Sequence, residues 1–210
     1  LHFFDEDRYF VKKKPNYSKY HRYFSPNDHS QVIGEATPIY MYWKKSIERI
    51  YVYNPQIKLI IILRNPIDRA FSHWNMERDK GREGRTFLKA ILDEESKISL
   101  PSYSQNKILS YLDRGYYSKQ IKNIYNYFNK NQLLILRSED LRENPDGTLM
   151  NVADFLSIPP FNPVDRKEIN SRAYPHKMSG DEYTFLSDFY EEELSSLENI
   201  LGWDLSSWCK

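Results

Sequence analysis

The chain has 210 residues and a mass of 25.2 kDa, enough for one large core, and its 40% hydrophobic content argues against wholesale disorder. Lys and Arg number 30 against 29 Asp and Glu, a net charge of +1 that lacks the basic excess of a dedicated duplex-DNA binder. The longest apolar run, Leu59 to Leu63, is too short to span a bilayer, and the single cysteine, Cys209, excludes an intrachain disulfide or a Cys-rich metal site and favours a reducing compartment.

Taken in order, Leu1-His2-Phe3-Phe4 is an apolar, β-prone tetrapeptide that reads as a strand entered part-way through a domain. From Arg8 to Asn27 there are six Lys or Arg, six Tyr or Phe and no acid, which suits either a solvated face or a groove for an anionic or ring-stacking partner. Gln31 to Gly34 reads as a second short strand. Tyr40, Trp43, Ile47 and Ile50 recur at helical spacing up to the break at Asn54-Pro55. Lys58 to Leu63 is a strand with no polar alternation, as a sheet covered on both faces requires. Pro66 to Lys80 and, after a Gly-rich turn, Phe87 to Glu95 read as helices. Tyr117, Ile121, Ile124 and Phe128 form the stripe of another helix, and Gln132 to Leu136 a fourth strand.

A helix carrying Leu149, Val152, Ala153 and Leu156 follows Asn144-Pro145-Asp146, and Ser157 to Lys177, with four prolines, reads as a long loop. Phe185 to Leu201 closes the chain and stops at Gly202. From Ser179 to Trp208 there are eight acids and no Lys or Arg, an acidic face. Strand–helix alternation of this kind predicts an α/β fold with right-handed crossovers: three layers, a mostly parallel central sheet and helices on both faces.

The most informative stretch runs from Leu59 to Trp74. A buried strand delivers Arg64 at its carboxyl end, where open α/β sheets bind ligands. Asn65 suits an N-cap, Pro66 the first helical position and Asp68 the first turn, so a helix starts directly after Arg64 and offers its free N–H groups to an anion. The residues alone leave two readings open: a phosphate site, or a surface arginine beside a well-capped helix.

Leu63-Arg64-Asn65-Pro66-Ile67-Asp68-Arg69-Ala70-Phe71-Ser72 resembles the 3′-phosphate-binding segment L-R-[ND]-P-x-[DE]-R-A-x-S of sulfotransferases that use 3′-phosphoadenosine 5′-phosphosulfate (PAPS). Leu1 to Asp5 is similar to the K-E-x-H-F-F-D stretch of the heparan-sulfate-type and related bacterial members. Ile33 to Tyr40 is similar to their G-E-x-[ST]-P-x-Y segment. Asp113 to Tyr117, Leu134 to Leu141 and Leu201 to Trp208 resemble further family segments in the expected order. Asn170-Ser171-Arg172-Ala173-Tyr174-Pro175 resembles the cofactor-covering K-G-R-x-Y-P loop, with Asn170 and Ser171 in place of its lysine and glycine.

The resemblance implies a P-loop NTPase-like sulfotransferase fold over residues 1–210 as a single domain. It implies PAPS as donor and adenosine 3′,5′-bisphosphate (PAP) as product, without a metal. It assigns Arg64, Ser72, Arg172 and Tyr174 to the cofactor and Glu35 to the catalytic base; His2 and His73 are the rival bases. The acceptor would be a hydroxyl or amine on a small molecule, a glycan or a carrier, with no nucleic acid or membrane partner, in the bacterial cytoplasm.

Family members open with a strand, a Lys-containing Gly/Ser/Thr-rich loop and a helix that cradle the 5′-phosphosulfate, and the seven glycines here form no such loop. The domain is therefore expected to be N-terminally incomplete, lacking its first strand–loop–helix. The alternatives are a degenerate, non-catalytic nucleotide-binding paralogue, a nucleotide or nucleoside kinase, which would need a Walker loop, and a module that binds single-stranded nucleic acid through Arg8 to Phe24.

Overall fold

The β-branched run ahead of Arg64 forms strand β1 (Leu59–Leu63), which pairs in parallel with β2 (Leu133–Arg137), Leu59 opposite Leu133 and Leu63 opposite Arg137. These strands belong to a computed structural model that describes residues 1–11, 15–27, 29, 32–162, 174 and 176–209. Among the described residues the sheet has two strands and most of the ordered backbone is helical. The described residues thus show two parallel strands with helices and not the expected three layers around a central sheet.

The reasons lie in particular residues. Phe3 and Phe4 are buried, but their main-chain N–H groups donate to the Tyr40 hydroxyl, at 2.9 and 3.3 Å, instead of entering a ladder. Val32 and Ile33 are exposed coil, and Gln31 lies outside the described residues. In β1, Leu59 and Ile61 pack on the core, whereas Ile60 and Ile62 are 39% and 50% exposed; on that same face Leu136 of β2 is buried, so among the described residues the second face is covered over β2 and open along β1.

Most of the expected helices form, with some ends shifted (the closing helix starts at Gly180 and not at Phe185), and the chain divides into two compact units. Leu1–Leu63 with Ile121–Asp165 forms the first. It contains α1 (Ser18–His21), α2 (Ile39–Tyr42), α3 (Lys44–Tyr53), both strands, α7 (Ser138–Glu143) and α8 (Pro145–Leu156). The helix expected through Tyr40 and Ile50 is split in two, because Trp43 adopts an extended ψ of 106° between α2 and α3. Phe3, Phe4, Tyr20, Tyr40, Ile47 and Ile50 are at the centre of its core. Tyr9, Phe10, Tyr17 and Phe24, four of the six rings of the basic–aromatic segment, pack around that centre, so much of the aromatic load is spent on burial.

Arg64–Gln120 with Arg166–Lys210 forms the second unit. Its framework is α4 (Pro66–Asp79), α5 (Phe87–Ile98) and α9 (Gly180–Leu201); α6 (Tyr117–Tyr125) begins in this unit and runs into the first. Ser179 and Glu182 form a reciprocal capping box at the start of α9, and Gly202 ends the helix at φ 68°. Buried Glu94 of α5 accepts from the main-chain N–H groups of Tyr111, Leu112 and Asp113, at 2.6, 2.9 and 3.0 Å, and so shapes the turn ahead of α6. Tyr190 of α9 donates to the Leu112 carbonyl at 2.8 Å, and its ring fills the space where a Cβ on Gly115 would sit. Glycine at 115 is a packing requirement.

Candidate active site

In the second unit, Arg64 directly follows β1 in the chain and precedes the first turn of α4. Asn65 caps the helix: its Oδ1 accepts from the Ile67 N–H at 2.9 Å, and Pro66 occupies the first turn, which has no intrahelical partner for an N–H. The Asn65 Nδ2 donates to the Trp208 carbonyl at 2.9 Å, and the Arg64 carbonyl accepts from the Tyr117 hydroxyl at 3.0 Å. The main chain around Arg64 is thus held on both sides.

Its side chain is not. The guanidinium is 43% exposed, and Nη2 lies 3.8 Å from the exposed Asp68 carboxylate, a separation at which a surface ion pair contributes little. A guanidinium at a helix N-terminus with so weak a neighbour suits a phosphate, which offers charge and paired acceptors.

Ser72 lies two turns along α4. Its Oγ accepts a 2.8 Å hydrogen bond from the Tyr174 hydroxyl, and the Tyr174 ring meets Phe71 edge-on at 5.6 Å. Two residues expected to share a ligand, 102 positions apart in sequence, are therefore in contact. Arg172 lies outside the described residues. Arg69, in the same segment, turns inward and donates to the Tyr111 carbonyl.

His73 is buried beside the Tyr111 ring, with a centroid distance of 5.0 Å. Burial first, then the cations of Arg114, Arg69 and Lys80, pull its pKa down to about 3. An imidazole that weakly basic is poorly matched to accepting a proton near neutral pH.

Glu35 belongs to the first unit. Its side chain is 13% exposed; Oε1 accepts from the Tyr20 hydroxyl at 2.9 Å and Oε2 from the Thr37 hydroxyl at 3.2 Å. Burial, and then the Glu35 charge, push the Tyr20 phenol far above its ordinary range, so it stays protonated and keeps donating. The Leu1 main-chain nitrogen donates to Thr37 Oγ1 at 2.8 Å and lies 3.6 Å from Glu35 Oε2. The carboxylate is thereby fixed in orientation while each oxygen keeps a second lone pair.

The next residue, His2, adopts φ 55°, uncommon for a non-glycine, and its Nδ1 lies 3.3 Å from the carboxylate of buried Asp5. A histidine oriented by a buried acid is a conventional arrangement for moving a proton. The sequence marked His2 as a rival base, but its alignment by Asp5 shows only once the backbone brings the two together.

Among the described residues, no group of three or more His, Cys, Asp or Glu is placed to hold a metal ion, and no helix is long and apolar enough to cross a membrane.

Comparison with known proteins connects these features. The sulfotransferase domain family matches residues 44–199. The chain is 28% identical to the human bifunctional heparan sulfate N-deacetylase/N-sulfotransferase 2, over 99% of this chain and 27% of that protein. It is 30% identical to the mouse heparan sulfate glucosamine 3-O-sulfotransferase 5, over 76% of this chain and 45% of that one. The chain therefore spans between about a quarter and a half of the length of these relatives. The crystal structure of a sulfotransferase from Alicyclobacillus acidocaldarius superposes with a TM-score of 0.80 at 25% identity, covering 100% of this chain and 85% of that one. The overall α/β sulfotransferase architecture is thus the right frame, although the sheet here is narrower than expected.

Proposed function

Because the chain belongs to the sulfotransferase domain family, we propose that it transfers a sulfuryl group from PAPS to a hydroxyl or amine acceptor. The observation that carries the proposal is the half-exposed Arg64 guanidinium at the capped N-terminus of α4, inside the family-matched span. The matched span draws on both compact units, which supports reading residues 1–210 as one domain.

The residues present fit the 3′-phosphate end of the donor. Arg64 supplies a bidentate-capable cation, the N-terminal end of the α4 dipole favours negative charge beside it, and Ser72 with Tyr174 supplies hydroxyls. Arg172 completes this set by resemblance alone. The donor contributes the activated sulfuryl group. The chain's own part is to hold the bisphosphate, exclude water and take the acceptor's proton as the acceptor oxygen or nitrogen bonds to sulfur and the sulfur–oxygen bond to the nucleotide breaks.

Glu35 is our proposed base, since Tyr20 and Thr37 hold its carboxylate in one orientation. A second assignment is favoured by one specific observation: His2, aligned by buried Asp5, could take the proton through its other ring nitrogen. Glycans are the acceptor class we favour, in keeping with the heparan sulfate enzymes to which the chain is similar, and a bacterial cytoplasmic setting accords with the bacterial structural relative and the single cysteine.

The test is calorimetry on the intact chain with adenosine 3′,5′-bisphosphate, ATP and adenosine 5′-monophosphate. Binding that prefers the bisphosphate is expected. Equal affinity for all three, or none, would remove the nucleotide assignment.

A further inference from the structure

Helix α9 and the short turn that follows it reach the peptide units around Arg64 by two routes, one from the middle of the helix and one from the turn. Midway along α9, the buried Glu193 carboxylate accepts from the Ser118 N–H and the Ser118 hydroxyl, both at 2.7 Å, and so pins the first turn of α6. The residue that opens α6, Tyr117, donates its hydroxyl to the Arg64 carbonyl at 3.0 Å. Beyond α9, the Leu205 N–H donates to Glu198 Oε1 at 2.8 Å, folding the chain back so that the Trp208 carbonyl accepts from Asn65 Nδ2 at 2.9 Å. Leu205 and Trp208 are both buried, which makes this return a packed element.

We propose that α9 with its C-terminal turn is a positioning clamp for the phosphate-binding arginine, acting through Tyr117 on one side of Arg64 and through Asn65 on the other. The clamp rests on the nucleotide assignment made above. Its physical basis is that Arg64 has a long, half-exposed side chain with only a weak ionic neighbour, so its reach is set by how firmly its main chain is held. Tyr117, Asn65 and Glu193 are positioning residues in this scheme; none is assigned a contact with the ligand.

The clamp is tested with Tyr117→Phe, which deletes one hydroxyl, and Asn65→Ser, which keeps a side-chain oxygen able to cap α4 but cannot reproduce the amide donation to Trp208. Affinities for adenosine 3′,5′-bisphosphate and adenosine 5′-monophosphate are measured well below each variant's Tm. Each variant should lose about three- to tenfold in bisphosphate affinity, the worth of one neutral hydrogen bond, and keep its affinity for the monophosphate, which has no 3′-phosphate to misplace. In an Arg64→Ala background neither substitution should weaken binding further.

If the wild-type chain itself shows no preference for the bisphosphate, the nucleotide assignment falls and the clamp with it. If the wild-type preference stands while both variants retain it, or both nucleotides weaken equally, the clamp is wrong and the nucleotide assignment survives. Should one variant fail to fold, the other decides.

Discussion

Arg64 is the side chain on which the nucleotide assignment turns. Replacing it with alanine removes charge-assisted hydrogen bonds worth about 1.5–3 kcal/mol, so bisphosphate affinity should fall about 10- to 100-fold in a titration that leaves the monophosphate unaffected. The base is separable from the binding site by kinetics. If Glu35 takes the proton, Glu35→Gln lowers kcat by about 10²–10⁴ with bisphosphate affinity intact, whereas if His2 does, His2→Gln shows that loss and Glu35→Gln a small one. His73 has a stability role with a definite sign. Its folded pKa lies near 3, below the ordinary 6.5, because burial and the cations of Arg114, Arg69 and Lys80 oppose its charge. Its contribution is complete above pH 6.5 and is lost as the pH falls from there toward 3, when the unfolded chain gains the proton first. Denaturant titrations across that window should show a slope of up to about 1.4 kcal/mol per pH unit that is absent in His73→Phe.

At the scale of elements, most helices and the two paired strands were legible, whereas the two other expected strands and the break at Trp43 were not. Asn65-Pro66 announces the start of α4 because its cap chemistry is local, and Gly202 announces the end of α9 for the same reason. Phe3-Phe4 looks like a strand because its rings are apolar, but the backbone partner that decides the matter, the Tyr40 hydroxyl, lies 37 residues away. The site divides in the same way. Arg64 and Ser72 could be named from their motif, whereas the Ser72–Tyr174 contact, the His2–Asp5 pair and the hold of Glu193 on α6 needed the folded chain. Gly115 shows how tightly α9 constrains the turn before α6. Alanine there drives a methyl group into the Tyr190 ring, and overpacking of this kind costs about 1–3 kcal/mol. A chemical-denaturation midpoint lowered accordingly, with an unchanged m-value, is the expected result.

For the molecule as a whole, ligand binding should be visible as heat resistance. At a hundred times its Kd, a ligand that binds only the native state adds about 2.7 kcal/mol, which for a chain of this length corresponds to roughly 5–10 °C in Tm. Adenosine 3′,5′-bisphosphate should produce that shift in a thermal melt, and the monophosphate at the same concentration should not.

The exposed side of β1 carries a further consequence, for behaviour in the test tube. Ile60 and Ile62 present β-branched side chains to water, and a net charge of +1 gives the chain almost no electrostatic repulsion between copies. Concentrated preparations will therefore be sticky: they will take up apolar dyes and lose material to clumping, and will be most tractable when dilute or in buffers well below the isoelectric point of about 7.9.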